Sequence, residues 1–82
     1  MFLVTEGKRK ENQLGYAPST HEYVHLHLGK VVWREKGDKS LLDYFTDLRY
    51  EHKCLDEDEI AKLPTAAIWK KYCDTCDELG LN

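Results

Sequence analysis

The histidines and cysteines of this chain fall into two groups whose spacing can do chemistry. His21, His25 and His27 lie in one segment whose residues alternate in type, which is the pattern of a strand. Residues i and i+2 of a strand point to the same side, so His25 and His27 can chelate a metal, with His21 as a third ligand. Tyr23 and Arg34 fall on that face as well, and a cation beside His25 opposes metal binding. The segment therefore reads as a solvated sheet face. The same imidazoles can move protons near neutral pH. No nucleophile or carboxylate is spaced to pair with them, so no catalytic residues are assigned and the chain is not read as an enzyme.

The second group is His52-Lys53-Cys54 with Cys73-Asp74-Thr75-Cys76. Zinc takes four nitrogen or sulfur ligands in a tetrahedron, and His52, Cys54, Cys73 and Cys76 are the four available here. Cys73 and Cys76, however, share a helical apolar stripe with Ile68, Trp69, Tyr72 and Leu79. No glycine flanks either cysteine to form a knuckle. Free cysteine packs as a small hydrophobe, so both are expected in the core and no cofactor is expected. A thioredoxin-like pair would stand at a helix N-terminus, and this one stands near a C-terminus. Three cysteines and an N-terminus with few apolar residues fit free thiols in a reducing, cytoplasmic setting. No stretch is apolar enough to span a membrane.

Charge gives the most direct pointer to function. Residues 1–39 carry a formal +2 and residues 40–82 a formal −5. Asp43, Asp47 and Glu51 recur at i, i+4 and i+8, forming one stripe on a helix. Like charges so spaced cost a few tenths of a kcal/mol per pair. Asp56, Glu57, Asp58 and Glu59 cluster where a second helix would start, a position that favours carboxylates. These seven residues are the candidate partner-binding surface. The partner they suit is a larger protein with a basic surface. The expected function is that of a small non-enzymatic binding module, a stoichiometric inhibitor or regulator of the kind phages and plasmids encode.

Two alternatives stand beside it. One is the zinc protein just described. The other is a nucleic-acid-binding regulator, because residues 57–79 resemble a helix-turn-helix pair in spacing. The turn lacks the usual glycine, and the second helix offers Lys70 and Lys71 but also Asp74, Asp77 and Glu78, a poor match for a polyanion.

The positioning elements are those of a single α+β domain over residues 1–82. Phe2–Glu6 is a short strand. Residues 7–20, with Lys8-Arg9-Lys10, Gly15 and Pro18, read as a mobile basic loop. Residues 21–36 read as a hairpin about Gly29-Lys30, a two-residue turn with glycine first. That register sets Leu28 against Val31, Leu26 against Trp33 and Val24 against Glu35, and makes this face the core. Ser40 with Asp43 forms a capping box for a helix over about 41–51 carrying Leu41, Tyr44, Phe45 and Leu48. Asp56 with Glu59 opens a short helix that stops at Pro64. Thr65 caps a third, closed by Gly80 and Leu81. The three helices pack on one face of the small antiparallel sheet, with Trp33 and Trp69 as anchors.

Overall fold

A computed structural model describes residues 1–6 and 11–80. Lys8-Arg9-Lys10 and Leu81 lie outside the described residues. Four strands, β1 (Phe2–Glu6), β2 (Asn12–Ala17), β3 (Glu22–His27) and β4 (Lys30–Lys36), precede three helices, α1 (Ser40–Glu51), α2 (Glu57–Ile60) and α3 (Ala66–Gly80). The strands form one antiparallel sheet in the order β1-β2-β3-β4. The helices cover one face, so the α+β arrangement holds. The sheet has four strands because Asn12–Ala17, expected within a loop over 7–20, is a strand.

That strand also decides which face is the core. Asn12, Leu14 and Tyr16 alternate with Gln13, Gly15 and Ala17, so bulk and apolar surface lie on one side of β2. Leu14 pairs with His25 and Tyr16 with Tyr23. The helices therefore cover the face bearing Tyr23 and His25, both fully buried. On β3 the expected core face is the outer one, which corrects the sequence reading, although Val24 on it is buried and Trp33, expected on the same face, packs against the core. The hairpin register explains the rest of the inversion. The turn residues are Leu28 and Gly29, both at positive φ (53° and 80°), rather than Gly29 and Lys30. Such a pair matches a turn with glycine second. That turn alone moves the pairing by two residues and keeps the faces, whereas the register shift between His25 and Leu26, where Val32 is the extra residue of β4, moves it by one and swaps the faces of the rest of the strand. His25 now stands opposite Trp33, Tyr23 opposite Glu35 and Leu26 opposite Val31. Leu28 is 68% exposed instead of buried.

The core joins Val4, Leu14, Tyr16 and Tyr23 of the sheet to Leu41 and Phe45 of α1, Ile60 of α2, and Ile68 and Tyr72 of α3. Both tryptophans anchor it from half-buried positions. The Trp33 indole N–H donates to Thr75 Oγ1 at 3.0 Å. Trp69 lies against the rings of Phe45 and Tyr72, at 5.0 and 5.5 Å between centroids. Gly37 lets the chain leave the sheet: a Cβ there would stand 2.7 Å from Ile68 Cδ1 and 3.0 Å from Thr65 Cγ2.

Helix starts are satisfied by partners the local sequence only partly announces. The first amides of a helix lack intrahelical acceptors. At α1, Asp38 Oδ1 accepts from the Ser40 N–H at 2.9 Å, and the Tyr23 hydroxyl accepts from the Leu42 N–H at 3.3 Å. The expected Ser40–Asp43 capping box does not form, because Ser40 Oγ bonds Thr65 Oγ1 at 2.7 Å. Asp56 does cap α2, accepting from the Asp58 N–H at 3.0 Å. Burial pushes the Tyr23 phenol up to about 12, although hydrogen bonds from Leu42 and Leu41 pull the other way.

Candidate functional site

The buried end of the sheet holds a polar cluster. Asn12 Oδ1 accepts from His25 Nε2 at 3.0 Å and from His27 Nδ1 at 2.9 Å. One carbonyl oxygen receiving both bonds fixes the tautomers: each ring carries its proton on the nitrogen facing Asn12. Tyr72 of α3 closes the cluster, its hydroxyl donating to the Asn12 backbone carbonyl at 3.3 Å and its ring 4.9 Å from that of His25. His25 Nδ1 is buried without a hydrogen-bond partner. Burial, and then the nearby His27, pull the His25 imidazole down to about 4, so it is neutral near pH 7. His21 stands apart at the far end of β3, at positive φ, within 3.2 Å of the Tyr16 hydroxyl. The three histidines thus do not share a solvated face. Arg34 is paired with Val24 on the opposite side of the sheet.

The four zinc candidates are also dispersed in role. His52 ends α1 in the left-handed region, its N–H donating to the Leu48 carbonyl. Cys54 is exposed in the connection to α2, whereas Cys73 and Cys76 pack against the core. Burial pushes the Cys73 thiol up to about 11, with the fields of Cys76, Glu57, Asp77 and Asp74 adding to it. Burial also raises Cys76. Among the described residues, no three His, Cys, Asp or Glu side chains converge so as to hold a metal ion.

The acidic residues are drawn together from different elements. Leu41 and Phe45 turn inward, so Asp43, Asp47 and Glu51 lie exposed along the outer side of α1. The Tyr44 hydroxyl ties α1 to the start of α2, donating to the Asp56 carbonyl at 3.1 Å and accepting from its N–H at 3.0 Å. This places Asp56–Glu59 beside the end of α1, all four exposed. The ammonium of Lys53 reports the join. Its hydrogen bond and ion pair to Glu51 raise it most, followed by the fields of Glu59 and Asp47. Glu57, Asp74 and Asp77 share the field around Cys73, which carries the acidic surface onto α3.

Two apolar side chains missed by sequence reasoning stand in this surface. Tyr50, three residues after Asp47 and so on the same side of α1, is 85% exposed, and Leu55 is 48% exposed. Leu55 borders a shallow depression lined by Cys54, Asp56, Glu57 and Asp58. The signal for Tyr50 was present in the sequence: it falls opposite the stripe of Leu41, Tyr44, Phe45 and Leu48. The helix-turn-helix candidate resolves into a single turn, α2, followed by α3. No helix among the described residues is long and apolar enough to cross a membrane. Comparison with protein-family models, curated proteins and solved structures finds no match.

Proposed function

We propose that this protein is a non-enzymatic binding module acting in the cytoplasm as a stoichiometric inhibitor or regulator. It docks on a basic surface of a larger protein through the acidic face of α1 and α2. The observation that carries the reading is the exposed Tyr50 set among Asp43, Asp47 and Glu51. Tyrosine is a frequent energetic anchor of interfaces, and a rim of like charge speeds encounter with an opposite surface. Solubility alone would account for the carboxylates but not for a tyrosine left almost wholly in water among them.

The test is capture from extracts of the native host, with the wild type beside two charge-reversal variants. Asp43→Lys with Asp47→Lys should lose the captured protein. Lys8→Glu with Lys10→Glu, in the basic run near the N-terminus, should retain it. For the purified complex, the first variant should associate more slowly and with weaker salt dependence, and Tyr50→Ser should mainly speed dissociation. Unchanged kinetics in the Asp43/Asp47 variant, at unchanged melting temperature, would remove the acidic face from the interface.

A further inference from the structure

Both edge strands of the sheet carry one register shift, but among the described residues only β1 is engaged by a helix there. At β1 the register skips Val4, and the carbonyl it leaves over accepts from Arg49 Nη1 of α1 at 2.8 Å. At β4, no backbone hydrogen bond among the described residues engages the strand beyond its pairing with β3. Proteins usually keep an edge strand short, yet β4, with 7 residues, is the longest strand of the sheet. Its pairing with β3 shifts once, at Val32, and beyond that point the strand is held from its inner side: Trp33 bonds Thr75, and Glu35 pairs with Lys71, whose ammonium lies 5.0 Å above the Trp33 ring.

We propose that the free edge of β4 is a second docking site, which takes an extended acidic segment of another protein as an added strand. Main-chain groups supply the pairing, and side chains select the partner. Lys30, Arg34 and Lys36 are exposed along the edge, and the one carboxylate of the strand, Glu35, is committed to Lys71. Glu22 faces Lys36 across the register without forming an ion pair. Lysines on an edge ordinarily prevent pairing. Against an acidic strand the same charges attract, so the edge rejects neutral and basic segments and admits one class. Val31 and Val32, 49% and 43% exposed, offer apolar contact between the charges. A second copy is disfavoured: laid antiparallel about Trp33, it sets Lys30 against Lys36 twice.

The experiment is selection of a random peptide library on the full chain, then titration of an enriched peptide followed by amide NMR shifts. Enriched peptides should be acidic, free of proline, and perturb residues 30–36. Arg34→Glu with Lys36→Glu, shown by circular dichroism to be folded, should weaken that peptide at least tenfold. The same library on this variant should yield basic sequences. Failure to enrich, enrichment of basic or proline-rich peptides on the wild type, shifts confined to α1, or unchanged affinity in the reversal variant would each overturn the proposal. So would a concentration-dependent dimer lost in that variant, which would give the edge to a second copy.

Discussion

Acid should unfold this domain through His25 before it does so through the carboxylates. In the folded protein the ring is buried against Tyr72 and Trp33, with one nitrogen on Asn12 and the other without a partner. A proton added there creates a buried cation next to His27, with no counter-charge to meet it. The folded value of about 4 lies below the ordinary 6.5. Between those two values the unfolded chain therefore binds more protons than the folded one. Stability then falls as pH drops through that window. Above pH 6.5 His25 imposes no penalty, and below 4 the loss levels off at about 3 kcal/mol. At pH 5 linkage gives a loss of about 2 kcal/mol, a large part of the stability of a domain this size.

The assay is urea denaturation at pH 7.5 and pH 5, on the wild type and on His25→Gln. Glutamine can keep an N–H for Asn12 and does not titrate, although loss of the ring should lower stability at both pH values. The wild type should lose about 2 kcal/mol more than the variant over this interval. Carboxylates are common to both proteins and cancel in the difference. Equal losses, or an NMR titration placing His25 near 6.5, would refute the reasoning.

Gly37→Ala should destabilise by about 1–3 kcal/mol, because the added methyl meets Ile68 and Thr65, both buried, and overpacking is not easily relieved; thermal melting checks it. Tyr23→Phe should cost about 1 kcal/mol in chemical denaturation by leaving the Leu42 amide without its acceptor, with no change of sheet structure. Leu28→Asn should instead stabilise by up to about 1 kcal/mol, since asparagine before glycine suits a turn with both φ values positive. A rise in melting temperature is the expected readout.

The helical half was legible because its signals are local. The stripe Leu41, Tyr44, Phe45 and Leu48 sets α1, Asp56 caps α2, and the stripe from Ile68 onward sets α3. The sheet was less legible. Gly15 read as a loop breaker, yet it lies in β2 opposite Val24 and beneath the Met1 sulfur, where a side chain would collide. With β2 unrecognised, nothing weighed Leu14 and Tyr16 against Val24 and Leu26, so the wrong face became the core. Gly29 could stand first or second in a turn, and only the pairing of whole strands distinguishes the two. The acidic stripe was visible as spacing. Its junction with Asp56–Glu59 was not, because that depends on Tyr44 reaching twelve residues along the chain. The burial of His25 follows from the same missed strand.

Every strand of this sheet pairs with its neighbour in sequence, which bears on how the chain folds. Three hairpins can form by short-range closure, each on a timescale of ~1–10 μs. Helix docking must close far larger loops: the hydrogen bonds from Arg49 to Val4 and from Tyr72 to Asn12 join residues 45 and 60 apart. Loop entropy charges these closures most, and they come after the sheet has something to offer. Until α1 and α3 arrive, a preformed meander shows Leu14, Tyr16 and Tyr23 to water. That interval, rather than strand pairing, is when a nascent chain is most exposed to aggregation and most in need of its acidic C-terminal half.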